Sequence, residues 1–97
     1  LVLMLVRRGA VDGLRIDHPD GLYDPAHYFR RLQVGAVSDA SLPATARPLY
    51  LVAEKIIAPF EKVATDWPLH GTTGYRFSNL VNALCVDTRA ADAMTRI

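Results

Sequence analysis

Apolar positions along the chain fall into five runs separated by turn-forming residues, and the spacing within each run differs. Leu1 to Val6 are apolar without a break and lead into Arg7, Arg8 and Gly9, which reads as the end of a helix capped by Gly9. Val11 to Ile16 predicts a short strand, weakened by Gly13. His18 to Pro25 is rich in turn formers: Pro19, Asp20-Gly21 and Asp24-Pro25. Asp24 suits a helix N-cap and Pro25 the first helical position, with Tyr28, Phe29 and Leu32 carrying helical spacing to about Val34.

Gly35 to Pro48 shows no periodicity and reads as a loop. Pro48 to Ala53 is a continuous apolar run that predicts a strand buried on both faces, as in a parallel sheet. A second loop, Ala58 to Gly74, is punctuated by Pro59, Pro68, Gly71 and Gly74. Phe77, Leu80, Val81 and Leu84 at helical spacing predict a last helix over Tyr75 to Val86. The order helix, strand, helix, strand, helix places the chain in the α/β class, without internal repeat or low-complexity tract. Two strands cannot close a barrel or cover their own edges, so the pattern reads as a slice of a larger fold that is not expected to be an autonomous domain.

Composition narrows the partners more than the fold. Ninety-seven residues, 51% hydrophobic and 22% charged, describe a globular chain too short for more than one small domain. The formal net charge is +1 with Lys and Arg scattered, so neither nucleic acid nor an anionic membrane is an expected partner. Cys85 is the single cysteine, which excludes an internal disulfide and points to a reducing, cytoplasmic compartment. Its setting, Leu80 to Val86, predicts a buried structural thiol. Leu1 to Val6 is too short to span a bilayer and lacks the flanks of a signal peptide. With no initiator Met, it reads as the tail of a helix that began upstream.

Several chemistries fail on spacing. Asp12, Asp17, Asp20 and Asp24 are close together, but an EF-hand needs Glu at its twelfth position, where Tyr28 (counting from Asp17) or Tyr23 (from Asp12) stands. His18, His27, His70 and Cys85 have no paired zinc spacing, and no metal or cofactor is expected. The chain has no Gly-x-Ser-x-Gly elbow and no dinucleotide fingerprint. His70-Gly71-Thr72-Thr73-Gly74 lacks the Lys that a phosphate-cradling loop needs after its second glycine.

What remains is a pair of carboxylates. Two apolar runs each stop on an acid, Asp17 and Glu54, 37 residues apart with a helix-like stretch between them. One parallel βαβ unit would place both at the C-terminal edge of a sheet, and two carboxylates at one cleft are the minimum for cutting or moving a glycosidic bond. Arg15, two residues before Asp17, falls on the same side of its strand, where a cation holds a nucleophilic carboxylate ionised. Glu54 follows a purely apolar run, and partial desolvation is what raises a carboxyl toward general-acid duty. The residue types leave a second reading open, in which Arg15 and Asp17 form an ordinary ion pair and Glu54 ends a strand.

Three segments carry a resemblance. Gly13-Leu14-Arg15-Ile16-Asp17-His18-x-Asp20-Gly21-Leu22-x-Asp24-Pro25 resembles the nucleophile region of the alpha-amylase superfamily. Leu51-Val52-x-Glu54-Lys55-Ile56-x-Ala58-Pro59 is similar to its acid/base region. Asp66-Trp67-Pro68-x-His70-Gly71-Thr72-Thr73-Gly74-Tyr75-x-Phe77-x-Asn79-x-Val81-Asn82 resembles the form taken by the maltooligosyltrehalose synthases and separates them from ordinary amylases. The resemblance implies a (β/α)₈ TIM barrel, of which this chain supplies roughly the fourth and fifth strands with flanking helices. It implies Asp17 as nucleophile, Glu54 as general acid/base, and Arg15 as the residue that holds the nucleophile's charge and orientation. It implies a maltooligosaccharide substrate contacted by His18, Asp20, Lys55, Trp67, His70 and Tyr75, with the rest of the barrel as the packing partner. Trp67 and Tyr75 read equally well as faces for a sugar ring and as packing.

Some features depart from that family. Pro19 stands where a small aliphatic residue is usual, which would shift the turn after the nucleophile. The superfamily's Asp-x-x-x-x-Asn-His region and its third carboxylate are absent from these 97 residues, so the chain alone is not expected to catalyse. A hydrolytic or transferring amylase relative and a non-catalytic glucan-binding remnant are the alternative readings.

Overall fold

The computed structural model describes residues 1–58 and 60–96; Pro59, which belongs to the expected acid/base motif and loop, and Ile97 lie outside the described residues. A short helix, α1 (Val2–Arg7), leads into strand β1 (Gly13–Ile16) and a 3₁₀ turn (Pro19–Gly21). Helix α2 (Pro25–Val37), strand β2 (Tyr50–Ala53), strand β3 (Gly71–Thr72) and helix α3 (Tyr75–Leu84) follow. A second 3₁₀ turn (Thr88–Ala90) and helix α4 (Ala91–Thr95) complete the order. The strands form one parallel sheet in the order β1-β2-β3, which bears out the α/β class.

Local chemistry explains most boundaries. Gly9 has φ +68°, its N–H donates to the Val6 carbonyl at 2.9 Å, and the Ala10 N–H donates to Leu5 at 3.0 Å; this Schellman arrangement ends α1 as expected. Asp24 accepts from the His27 N–H at 2.9 Å with Pro25 next, so α2 also starts where its residues predict. It runs to Val37, three residues beyond the expected end at Val34, because Gly35 is absorbed within the helix. A Cβ on Gly35 would come within 2.6 Å of Leu3, so its smallness lets α1 lie against α2.

Two expectations about strands need correction. β3 lies inside the stretch read as the loop Ala58 to Gly74, since two residues, one of them glycine, carry no apolar periodicity. β2 is not buried on both faces: Leu51 and Ala53 are buried, Tyr50 is exposed and Val52 is intermediate. Helix α2 covers one face of the sheet, and the alternation of side chains follows from that single layer.

The core is small. Phe29 from α2 packs with Leu51, Ala53 and Leu69, and Leu14, Ile16, Tyr28, Leu32 and Trp67 surround them. Phe29 meets Trp67 with ring centroids 5.2 Å apart. One turn along α2, fully buried Gln33 ties the helix to the sheet. Its Nε2 donates to the carbonyls of Leu49 (3.1 Å) and Pro68 (2.9 Å), and its Oε1 accepts from the Leu49 N–H (2.9 Å). Helix α3 stands apart: it has no buried residue, and Phe77, Leu80 and Leu84 are exposed. Cys85, expected to be buried, is exposed just beyond the end of that helix, none of whose residues is buried.

Gln33 provides a test of this architecture. Gln33→Leu keeps the volume but leaves three buried backbone groups at Leu49 and Pro68 without partners, at a cost of about 1–3 kcal/mol. A urea titration should show a lower midpoint with unchanged slope, whereas an unchanged midpoint would mean that these bonds do not hold α2 to the sheet.

Candidate active site

The parallel register fixes the site. Arg15 pairs with Val52 and Ile16 with Ala53, so the residues just past both strands meet at the C-terminal edge. The Glu54 N–H extends the ladder by donating to the Ile16 carbonyl at 2.7 Å. Asp17 and Glu54, chosen from sequence as the end residues of two apolar runs, are thereby brought to one place.

Arg15 links them. Its Nη1 lies 2.8 Å from Asp17 Oδ1, its Nη2 lies 4.0 Å from Glu54 Oε1, and its Nε donates to Thr73 Oγ1 at 3.2 Å. One guanidinium therefore faces both carboxylates and a hydroxyl from the residue after β3. Asp17 is open, its side chain 74% exposed, while Glu54 is the more enclosed at 31%. Glu54 also accepts a hydrogen bond: the backbone N–H of His18 reaches Oε2 at 3.1 Å. Arg15 and Glu54 line an open cleft of about 650 Å³ with Thr73, Gly74, Tyr75 and Phe77. The cleft thus holds the Glu54 carboxylate, the Arg15 guanidinium and an aromatic rim, while Asp17 meets the same guanidinium from outside its lining.

The His18 donor depends on an unusual backbone. His18 has φ 44° and ψ 57°, a left-handed conformation that costs a non-glycine residue about 1–3 kcal/mol. The following proline bars the right-handed helical alternative. Pro19 is buried as the first residue of the 3₁₀ turn, and the N–H groups of Gly21 and Leu22 close it onto His18 and Pro19 at 3.2 and 3.0 Å. The departure at Pro19 thus sits inside the turn that aims His18 at Glu54.

The remaining sequence candidates separate. Tyr75 is exposed and lines the cleft. His18 is exposed, meets Glu54 through its backbone N–H and has its ring beside Gly21. Asp20 and Lys55 pair with each other, Lys55 Nζ lying 3.1 and 3.0 Å from the two Asp20 oxygens and 2.8 Å from Glu61 Oε1. Trp67 is not brought to the cleft; it lies against Phe29, the packing alternative of its two readings. His70 also stays away from Arg15 and Glu54. It sits just before β3, where its N–H donates to the Leu51 carbonyl at 2.8 Å and its Nδ1 accepts from the Leu51 N–H at 3.2 Å. Trp67 and His70 line a separate cavity of about 220 Å³.

Thr73, Phe77 and Glu61 were not identified as site residues from sequence. Thr73 becomes visible only once β3 is known to be a strand, and Glu61 only once the chain after β2 folds back on Lys55. Among the described residues, no group of three or more His, Cys, Asp or Glu side chains is placed to hold a metal ion. No described helix is long and apolar enough to cross a membrane.

The ion pair at Lys55 is testable through pH. The hydrogen bond from Lys55, helped by the Ala58 N–H, holds the Glu61 carboxyl below its usual range; the bonds to Glu61 and then Asp20 hold the Lys55 ammonium above its own. The lowered carboxyl contributes stability above its ordinary pKa of 4.5, lost as pH falls through the lowered value. The raised amine contributes below its ordinary 10.5, lost as pH rises through the raised value. The stability gap between the wild type and Glu61→Gln should therefore be level between about pH 6 and pH 9 and close on both sides. A gap independent of pH across urea midpoints would contradict the pairing.

No protein-family model matches the chain. Curated proteins from two strains of Mycobacterium tuberculosis that carry the name maltooligosyl trehalose synthase are 33% identical to it over 89 residues. That is 92% of this chain and 10% of theirs. The solved structure of maltooligosyltrehalose synthase from Arthrobacter ramosus superimposes with a TM-score of 0.72 at 37% identity, over 90% of this chain and 10% of that one. A structure described as DSM5389 glycosyltrehalose synthase gives 0.71 at 38% identity, over 95% of this chain and 11% of its own. In sequence and in backbone, the chain corresponds to one stretch, about a tenth, of the maltooligosyltrehalose synthases it matches.

Proposed function

We propose that this chain is a stretch of the catalytic (β/α)₈ barrel of a maltooligosyltrehalose synthase, with β1 and β2 as roughly its fourth and fifth strands. The observation that carries the reading is Arg15, which faces Asp17 and Glu54 at once on the C-terminal edge of a parallel sheet. Barrel enzymes of this kind build their sites at that edge. The similarity to trehalose-forming enzymes over 90% or more of the chain supports the substrate class.

In the proposed reaction, an Asp17 carboxylate oxygen attacks the anomeric carbon of the penultimate glucose of a maltooligosaccharide. The bond from that carbon to O4 of the terminal glucose breaks, and Glu54 gives its proton to the departing oxygen. A covalent glycosyl-enzyme results, with Glu54 now ionised. The released glucose turns within the site and presents its anomeric hydroxyl. Glu54 takes that proton as the oxygen attacks the same carbon, freeing Asp17 and forming an α,α-1,1 linkage. Water must be kept out for the glucose to win, and Ile56, Tyr75 and Phe77 are the apolar members of the cleft available to do so. We place this reaction in the cytoplasm, where a single unpaired cysteine is at home.

The test uses the full-length enzyme that contains this stretch. Incubation with maltopentaose should remove reducing ends without releasing free glucose; new reducing ends would identify a hydrolase instead. Asp17→Asn should lower kcat by at least about 10³-fold. Retention of activity would refute its role as nucleophile.

A further inference from the structure

We propose that Lys55 is a positioning residue, clamping the His18 turn onto the general acid/base rather than contacting substrate. This inference rests on the reading of Glu54 as the acid/base and assigns Lys55 a role different from the substrate contact that the family resemblance implies. Three observations lead to it. The ammonium is enclosed, its side chain 12% exposed, and lies between Asp20 (3.1 and 3.0 Å) and Glu61 (2.8 Å). An ammonium has three N–H donors, and two carboxylates already occupy them in charge-assisted bonds. Little is left for a sugar hydroxyl.

Asp20 is the middle residue of the 3₁₀ turn Pro19–Gly21, directly after the strained His18. A left-handed non-glycine residue persists only where its surroundings hold it. Below, that support is buried Pro19; above, it is the Asp20–Lys55 bridge. Lys55 in turn follows Glu54 in the chain. The bridge therefore ties the two segments that carry the acid/base and its backbone donor, and closes a short loop of bonds: Glu54 Oε2 to the His18 N–H, His18 through the turn to Asp20, Asp20 to Lys55, and Lys55 through the backbone to Glu54. Glu61 holds the ammonium from the far side, its own carboxylate fixed by the Ala58 N–H at 3.2 Å. Releasing any member lets the turn relax and the His18 N–H leave Glu54.

A positioning residue and a substrate contact differ in what their loss does. In the full-length enzyme with maltopentaose, Lys55→Met should lower kcat about 10- to 100-fold with KM changed less than about twofold. Asp20→Asn, at a half-exposed position, should do the same, and the double variant should be no slower than the slower single one. Lys55→Arg, which can still bridge two carboxylates, should recover most of kcat. Hydrogen exchange at the His18 amide should quicken in Lys55→Met and not in Lys55→Arg. A raised KM with kcat intact, additive single effects, or unaltered exchange at His18 would each overturn the clamp. The exchange measurement does not depend on catalysis. Quickened exchange together with an active Asp17→Asn enzyme would therefore refute the reading of the site while leaving the clamp standing.

Discussion

At the C-terminal end of the first two strands, the Glu54 N–H donates to the Ile16 carbonyl at 2.7 Å. This last rung of a parallel ladder sets everything beyond it. It requires Asp17 and Glu54 to leave the sheet side by side, within reach of one Arg15 guanidinium. A slip of one residue would turn Leu51 and Ala53 away from Phe29 and move the acids out of register, so burial and chemistry are specified by the same pairing. Asp17 and Glu54 are 37 residues apart in sequence, and only the crossover through α2 makes them neighbours.

The support beneath this edge is thin but well directed. Phe29 supplies the apolar contact between α2 and the sheet, and Gln33 supplies the polar one, satisfying backbone groups on Leu49, just before β2, and on Pro68 in the segment entering β3. β3 then carries Thr73 to Arg15 and starts α3 at Tyr75 on the rim of the cleft. Trp67, a candidate for a sugar platform, is partly buried against the core and also lines the separate cavity beside His70. His70 serves the ladder, with both its backbone and its ring bonded to Leu51. The distinctive segment Asp66 to Tyr75 thus divides its labour: its first half packs, its second half borders the carboxylates.

Two non-glycine residues, His18 and Ser38, take left-handed backbone, and His18 is the one at the candidate site. His18 takes a left-handed conformation between a strand and a buried proline, and in return its N–H meets Glu54. The surrounding charges alternate through space: Asp17 against Arg15, Glu54 against Arg15, Asp20 and Glu61 against Lys55. Two cations serve four carboxylates, which leaves each acid held in a definite place at the cleft or behind it.

Much of this was legible in the residues themselves. Pro25 after Asp24, Gly9 after a basic pair, and two apolar runs ending on acids determined the helix ends, the parallel pairing and the choice of Asp17, Glu54 and Arg15, because each rests on local backbone chemistry or on period-two alternation. β3 was not legible, since a two-residue strand of Gly71 and Thr72 is stabilised by its neighbour and not by its own pattern. Nor were the extension of α2 through Gly35, the exposure of Cys85 or the single covered face of β2, which depend on what lies opposite each residue. The partners of Lys55 belong to the same group. An ion pair across 35 residues, like the one between Lys55 and Asp20, exists only after the chain has folded back on itself. The sequence by itself singled out Asp17, Glu54 and Arg15 and the strand ends that carry them; the tertiary structure decided which residues meet at one edge of the sheet, because that is set by register and packing between segments far apart in the chain.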